Sequence, residues 1–271
     1  MTNEDKISAT CLFWDANPCD GQGSFEARKK FRYLKEPWIL PEIEEIARKH
    51  RSILEIGCGQ GVDGLIMCGI IPPDGRYVGL ELSKVSLDSA RQAAQQLAEQ
   101  LNSTPLYRKG NAENLGLESD SFECVYSMGV LHHTPDIEKA VREVHRVLAP
   151  GGKAYIALYR TFSPKILAAL LLRWVQGCCD KILSSEKIFY KLFKKVPAQR
   201  FLGTALLECF GVPILHSFTH REIHELFSNF EETHTKTVSL GLPTIGINKF
   251  IEPLTLFLGS MWFVEATKGN K

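Results

Sequence analysis

Short apolar runs alternate along the chain with longer stretches in which apolar residues recur every three or four positions. The short runs are typical of strands buried on both faces of a parallel sheet, and the longer stretches indicate amphipathic helices. Seven strands are predicted, over residues 53–56, 77–82, 106–109, 122–127, 153–159, 230–240 and 260–267. This alternation predicts an α/β fold with a largely parallel sheet.

A glycine-rich turn follows the first predicted strand. The run 57–61 reads GCGQG, and a helical pattern begins at about Val62. Glycines permit positive φ and allow a ligand to approach the backbone, and the N–H groups at the start of a helix favour polar or anionic groups. The dinucleotide fingerprint Gly-x-Gly-x-x-Gly would require glycine at position 62. The turn therefore predicts a ligand site without a standard dinucleotide signature.

Two acidic residues accompany this turn. Glu55 lies inside the first predicted strand, where a buried carboxylate needs a partner. Glu81 lies at the end of the second predicted strand, where a carboxylate can accept both hydroxyls of a ribose. The turn and the two acids together resemble the first two motifs of class I S-adenosylmethionine-dependent methyltransferases.

The loop after the third predicted strand, residues 110–115, reads GNAENL. Class I methyltransferases of this type usually carry Asp, Ala and Glu in this loop, and the resemblance implies that Asn111 and the amide of Ala112 contact adenine. Asn111 keeps an acceptor oxygen but lacks the charge of an aspartate. An Asx turn is the alternative role for Asn111.

The run from Val125 to Tyr159, VYSMGVLHHTPDIEKAVREVHRVLAPGGKAYIALY, is similar to the fourth and fifth strands of small-molecule methyltransferases, including the quinone C-methyltransferase group. The family's loop after the fourth strand lies beside the transferred methyl group. His132 and His133 are therefore the candidate catalytic residues, because histidine titrates near neutral pH and suits general-base chemistry. A structural role is the alternative for each of them.

The resemblance covers about residues 51–159 and implies a Rossmann-like, doubly wound seven-stranded sheet, mostly parallel with an antiparallel last strand. It implies one domain, with an N-terminal cap (1–45), a cofactor-binding core (46–160), a helical insertion (161–216) and C-terminal strands (217–271). The implied cofactor is S-adenosylmethionine, with S-adenosylhomocysteine as product, and the methyl transfer is an in-line displacement that needs no metal. The expected cofactor contacts are Tyr33, Glu55, Gly57, Cys58, Gly59, Gly61, Glu81, Leu82, Asn111, Ala112, Glu113, Ser127 and Met128.

The segments on either side of the core carry less specific patterns. Residues 25–34 predict a helix whose Arg28 and Arg32 belong to a basic cluster, and such clusters usually form a solvated face. Tyr33 either packs on the sheet or caps the cofactor pocket. The insertion contains two apolar helical patterns, near residues 166–174 and 188–193, the second flanked by lysines. We expect these helices to roof the active site, and association with a membrane surface is the alternative.

Composition and charge argue against several classes of partner, cofactor and location. The 271 residues carry a net charge of +1, which gives no sign of a nucleic-acid partner. The eight cysteines are scattered without a Cys-x-x-Cys pair, so no zinc site is expected and the thiols should be reduced. The first ten residues lack an apolar signal core, and the longest apolar runs are too short to span a bilayer. We expect a cytoplasmic protein, monomeric or homodimeric.

Three functional classes fit these patterns. The favoured one is a methyltransferase that modifies an oxygen, nitrogen or carbon of a small apolar or aromatic molecule, such as a secondary metabolite or a quinone-like compound. A nicotinamide-dependent oxidoreductase also places an acid after the second strand, but Val62 and the 110–115 loop argue against it. The third is a cofactor-binding protein of the same fold without catalytic activity.

Overall fold

Helices and strands alternate along the chain as the hydrophobic pattern predicts. The structure, a computed structural model, describes residues 2–21, 23–182, 189, 191, 210–239 and 255–270. Its helices are α1 (Asn3–Ala16), α2 (Phe25–Lys35), α3 (Ile39–Lys49), α4 (Val62–Cys68), α5 (Lys84–Gln96), α6 (Ile137–Val147), α7 (Pro164–Ile182) and α8 (His220–Leu226). Its strands are β1 (Ser52–Ile56), β2 (Arg76–Glu81), β3 (Leu106–Lys109), β4 (Phe122–Met128), β5 (Leu148–Tyr159), β6 (Glu232–Val238) and β7 (Met261–Thr267).

The strands form one seven-stranded sheet in the order β3-β2-β1-β4-β5-β7-β6. β1 to β5 are mutually parallel, and β7 runs antiparallel to both β5 and β6. The predicted fold, including its antiparallel last strand, is confirmed. The strand order reverses direction between β1 and β4, which opens a crevice at their carboxyl ends where such sheets bind ligands.

Apolar layers cover both faces of the sheet. Ile53 of β1 packs in a cluster with Ile43 of α3 and Met67 of α4. Leu54, the next residue, points to the opposite face and packs with Val144 of α6 and Phe227 after α8. Burial on both faces explains why the central strands have continuous apolar runs instead of alternating ones.

The N-terminal helix α1 was not predicted from the apolar pattern. Thr2 caps this helix and forms a reciprocal capping box with Asp5. Only Thr10 and Phe13 of the helix are buried, so its apolar residues form no regular stripe. A capping box followed by an irregular apolar cluster was the available signal for this helix.

The predicted insertion over residues 161–216 is described only in part. Helix α7 covers the first predicted apolar pattern, whereas most of the second lies outside the described residues. Most of the loop 241–258, which could line the substrate pocket, also lies outside them. Beyond the insertion, the predicted capping box of Thr219 and Glu222 starts α8. Of the helices in the described ranges, none combines the length and apolar composition required to cross a bilayer.

Candidate active site

A cavity of about 1030 Å³, measured with its open mouth, lies at the carboxyl ends of β1, β2 and β4. The loop after β3 forms one wall, and Ile7, Thr10 and Trp14 of α1 close the top. We call this the first cavity.

The glycine turn forms the floor of the first cavity. Gly57, Gly59 and Gly61 all have positive φ, between 52° and 80°. A Cβ on Gly57 would collide with Val130, and one on Gly61 would lie 2.9 Å from the Cβ of Ala90. A Cβ on Gly59 would meet nothing within 4 Å. Gly57 and Gly61 are therefore required by packing, and Gly59 leaves open space for a ligand.

Glu81 is held at the edge of the first cavity by backbone donors. Its carboxylate accepts hydrogen bonds from Gly59 N at 2.9 Å and Ser83 N at 2.8 Å. Burial raises the pKa of Glu81, and these N–H donors oppose that rise. Each carboxylate oxygen keeps further acceptor capacity for a ligand hydroxyl.

Glu55 has the partner that its burial requires. The hydroxyl of Tyr77 on β2 donates to Glu55 Oε2. Burial raises the pKa of Glu55, and the nearby charge of Asp63 raises it further. Gly64 must lack a side chain because its Cβ would collide with Tyr77. The acid therefore lines the cavity as part of a packed hydrogen-bonded pair.

A buried ion pair beside the turn was not predicted from sequence. Arg32 of α2 donates from Nε and Nη2 to the two oxygens of Asp63 at 2.6 and 2.5 Å. Tyr33 and Tyr126 donate their hydroxyls to the same carboxylate at 2.8 and 2.7 Å. Both charged residues line the first cavity, and Asp20 lies 3.4 Å from Arg32. These four donors make Asp63 the centre of a polar network that joins α2, α4 and β4.

The predicted solvated face of α2 is wrong for two of its basic residues. Arg28 is buried and donates to Gln60 Oε1 and Ser89 Oγ, at 3.2 and 2.7 Å. Arg32, one turn later, reaches Asp63. The i, i+4 spacing places both guanidinium groups on the side of α2 that faces the glycine turn.

The loop after β3 shows the Asx turn that was the alternative for Asn111. Asn111 Oδ1 accepts from Glu113 N at 3.0 Å, and both Asn111 and Ala112 line the first cavity. Glu113 is buried and accepts from Asp136 N at 2.9 Å and from Asn3 Nδ2 at 3.3 Å. Glu113 therefore links α1 to the loop after β4.

The two histidines after β4 have different environments. His133 lines the first cavity, and its Nδ1 donates to the carbonyl of Ile214 at 2.7 Å. Because a carbonyl only accepts, the neutral ring has its basic electron pair on Nε2. His132 is fully buried and stacks on Tyr159 with ring centroids 3.8 Å apart. Within the described ranges neither ring nitrogen of His132 has a hydrogen-bond partner, and burial lowers its pKa well below the ordinary value.

A second cavity, of about 940 Å³, adjoins the first. Trp14, Met128 and His133 are among the residues that line both cavities. The second cavity is rich in aromatic side chains and also contains Lys35, Glu36 and Lys165. Its aromatic residues are Phe13, Trp14, Phe31, Trp38 and Tyr159.

Comparison with known proteins matches this architecture. Residues 54–156 match the model of a family described as a methyltransferase domain. That range runs from within β1 to within β5 and includes the floor of the first cavity. We call these matched residues the methyltransferase domain, after the description of the family.

Relatives of the methyltransferase domain have various acceptors in their names. The chain is 30% identical to 2-phytyl-1,4-naphtoquinone methyltransferase of Synechococcus elongatus over 158 residues, 57% of this chain and 64% of the relative. It is 30% identical to arsenite methyltransferase of Rattus norvegicus over 132 residues, 46% of this chain and 35% of the relative. The chain therefore spans less than two thirds of the length of each of these relatives.

A solved structure shows the same fold at low identity. A chain from the complex of the Haloferax volcanii Trm112 methyltransferase activator with a methyltransferase has a TM-score of 0.57 and 14% identity. The similarity covers 94% of this chain and 96% of that one. The shared fold therefore extends to both flanks of the methyltransferase domain.

The first cavity of the methyltransferase domain brings together most of the residues expected from sequence. Ten of them line it: Glu55, Gly57, Cys58, Gly59, Glu81, Leu82, Asn111, Ala112, Met128 and His133. Five described residues lie outside that lining: Tyr33, Gly61, Glu113, Ser127 and His132. Tyr33 packs against the core, and Ser127 Oγ donates to the carbonyl of Ile56 at 2.9 Å. Both residues support the elements that form the cavity.

Sequence reasoning missed Asp63, Arg32, Asp20 and Trp14, all of which line the first cavity. Asp63 is a charged residue in the first turn of an otherwise apolar helix, which signals a buried partner. That partner is 31 positions away on another helix, and spacing along the chain cannot identify it. For Trp14 the sequence shows only a short apolar cluster, residues 11–14, which does not by itself indicate a cavity.

Proposed function

We propose that the protein transfers a methyl group from S-adenosylmethionine to a small, apolar or aromatic acceptor. The observation that carries the proposal is the charge of the first cavity. Four acidic side chains line it, those of Asp20, Glu55, Asp63 and Glu81, against the single guanidinium of Arg32. Burial raises the pKa of Glu55 to about 8, so at neutral pH the negative charge comes from the carboxylates of Asp20, Asp63 and Glu81. S-adenosylmethionine is a cation overall, with a sulfonium and an ammonium against one carboxylate, so its charge complements this lining.

The same charge argues against a nicotinamide cofactor. A dinucleotide brings a doubly charged pyrophosphate, which prefers helix N-termini and basic side chains. Placing that anion beside the carboxylates of Asp20, Asp63 and Glu81 would be repulsive in a partly buried site. Val62 in place of the third fingerprint glycine supports the same choice.

Several residues that line the first cavity have proposed roles in binding the cofactor. Glu81 would accept the ribose hydroxyls, because backbone N–H groups already orient its carboxylate. Ala112 would contact adenine through its amide. Glu55 would support the glycine turn and the methionine ammonium. Arg32 would take the methionine carboxylate, because Arg32 lines the cavity and Tyr33 lies outside that lining.

The acceptor would occupy the second cavity. When bound, S-adenosylmethionine supplies an electrophilic methyl carbon on a sulfonium, and the acceptor attacks in line with the carbon–sulfur bond. Met128 and His133 line both cavities and so lie where the two ligands would meet. His133 Nε2 would accept the proton of an acidic acceptor, while Nδ1 keeps its bond to Ile214. His132, buried behind it, would support the His133 ring.

The lining of the second cavity favours an aromatic acceptor. Five aromatic side chains surround it, which suits a quinone-like or other planar ring better than a small inorganic acceptor such as arsenite. A quinone methyltransferase is among the relatives, so a quinone-like compound or another aromatic metabolite is the first class to test. Residues 1–45 would act as a cap, since α1 residues line both cavities.

The test is calorimetric titration of the purified chain with S-adenosylmethionine, S-adenosylhomocysteine and NADH in parallel. We expect the two sulfur compounds to bind and NADH not to bind. Binding of NADH alone would overturn the proposal. Cofactor binding without methylation of any member of a panel of quinones and phenols would favour the non-catalytic alternative.

Two variants test the charge argument directly. Asp20→Asn removes one of the three carboxylates that carry the negative charge of the first cavity and should weaken binding of the cationic cofactor. Asp74→Asn is the matched control, because Asp74 is 69% exposed and lines neither cavity, so its loss should leave binding unchanged.

A further inference from the structure

Helix α7 shows an inverted pattern of polarity. On one side Ile166 and Ala169 are buried, Arg173 Nη1 donates to the carbonyl of Val212 at 3.0 Å, and Gln176 lies beside Phe210. Arg173 and Gln176 thus lie on the same side of α7 as the buried Ile166 and Ala169. The opposite side carries an apolar stripe at i, i+3, i+4 and i+7, which we call the α7 stripe: Leu167, Leu170, Leu171 and Trp174.

The α7 stripe is exposed. Leu171 is 60% exposed and Trp174 is 67% exposed. Phe162 before the helix and Ile182 at its end extend the exposed apolar surface. Soluble monomers rarely leave a contiguous patch of large apolar side chains in water, and such patches commonly mark an interaction site.

A second exposed apolar segment lies at the start of α7. Leu256 and Phe257 are 66% and 76% exposed. Arg160, two residues before Phe162, donates to the carbonyl of Phe257 at 3.1 Å. This bond ties the segment of Phe257 to the residues that lead from β5 into α7.

The described residues of the segment that contains α7 are basic on balance. Between positions 164 and 191 they include Lys165, Arg173, Lys181 and Lys191 against Asp180, and Lys181 and Lys191 are exposed. An apolar stripe with basic flanks and an interfacial tryptophan is the pattern of a helix that lies in the plane of an anionic bilayer.

We propose that α7 is a membrane-surface binding element whose partner is the headgroup region of an anionic phospholipid bilayer. The stripe would insert among the acyl chains near the headgroups, and the lysines would contact lipid phosphates. Association of two copies through this face would bring two basic segments together, which is repulsive. The charge therefore favours an anionic lipid surface over a second copy of the chain.

The position of α7 gives this binding a role. Lys165 in its first turn lines the second cavity, as does Val212, which accepts the hydrogen bond from Arg173. A bound bilayer would lie beside the mouth of the acceptor cavity. This role rests on the proposed function, and it would allow an acceptor dissolved in the membrane to enter without crossing water. Binding of the bilayer itself does not depend on methyl transfer.

The test is co-sedimentation of the full chain with vesicles of phosphatidylcholine containing about one third phosphatidylglycerol, against vesicles of phosphatidylcholine alone. We expect binding to the anionic vesicles that weakens as the salt concentration rises. The double variant Leu171→Gln/Trp174→Gln should lower the partition coefficient at least about tenfold. The matched control, Leu12→Gln, removes an equally exposed leucine (70%) on α1 and should leave binding unchanged.

Two further measurements separate loss of lipid binding from other effects of the substitutions. Calorimetric titration of the double variant with S-adenosylmethionine, compared with wild type, separates loss of lipid binding from misfolding and from failure of the proposed function. Quenching of tryptophan fluorescence by brominated lipid should fall in Trp174→Phe. Absence of binding to anionic vesicles, or binding unchanged in the double variant, would overturn the proposal. So would a wild-type dimer in gel filtration that the double variant converts to a monomer without any lipid binding.

Discussion

Replacing Asp63 by asparagine tests whether the polar network beside the glycine turn stabilises the fold. The Asp63 side chain is 1% exposed and Arg32 is 17% exposed, so the pair is shielded from water. The variant Asp63→Asn keeps the shape of the side chain but removes its charge. In the variant, the NH₂ group is itself a donor and would face the N–H and O–H donors that bond to the carboxylate in the wild type.

The expected loss in the free energy of unfolding is large. Removing one partner of a buried ion pair costs about 3–5 kcal/mol, because the other charge is left without its counter-ion. Asp20, 3.4 Å from Arg32, offsets part of this cost. For a chain of this size the melting temperature should fall by roughly 6–20 °C.

The assay is urea unfolding followed by circular dichroism, without cofactor, so that ligand binding does not contribute. Asp74→Asn is the matched control, because Asp74 pairs with Arg51 at the surface and its removal should cost under about 1 kcal/mol. A double-mutant cycle with Arg32→Gln should give a coupling energy of at least about 1.5 kcal/mol. A loss at Asp63 no larger than that at Asp74 would refute the reasoning.

Four further predictions concern the cavities. Glu81→Ala should weaken S-adenosylmethionine binding at least about tenfold in calorimetry, since it removes the acceptor proposed for the ribose. His133→Ala should leave that binding unchanged and slow turnover of an acidic acceptor by about 10²–10⁴-fold in a methylation assay. Gly61→Ala should destabilise the fold by about 1–3 kcal/mol in urea unfolding through its contact with Ala90, whereas Gly59→Ala should mainly weaken ligand binding. Because the folded-state pKa of Glu55 is raised from 4.5 to about 8, its contribution to stability is fully present below pH 4.5 and is lost as the pH rises towards 8. Wild type should therefore lose stability relative to Glu55→Gln over that range, and parallel pH profiles for the two proteins would contradict this assignment.

Local patterns were enough to predict the sheet and the floor of the first cavity. The strands appear in the sequence as apolar runs because both of their faces are buried. The glycine turn and Glu81 lie within 25 positions of each other, in a strand–turn–helix–strand unit whose geometry is locally determined. Glu55 could be singled out because a carboxylate inside an apolar run requires a partner.

Contacts between distant elements could not be predicted in the same way. The bond between Arg32 and Asp63 depends on how α2 packs against α4, and a basic cluster on a helix is usually solvated. The histidine pair was located correctly after β4, but only packing separates His133 at the cavity from His132 behind it. Adjacent residues on a short helical turn differ in direction, and the sequence does not define that direction.

Helix α7 shows the same division between sequence and tertiary structure. Periodicity determines that the helix has an apolar side, because apolar residues recur at i, i+3, i+4 and i+7. It does not determine whether that side faces the core or solvent. Tertiary packing decided this, since Arg173 and the buried Ile166 anchor the inner side and leave Leu171 and Trp174 exposed. By itself the sequence determined the fold and the glycine turn, through short-range periodicity and backbone constraints. Which side chains meet across the cavities, and which apolar side faces outward, was decided only when distant elements packed together.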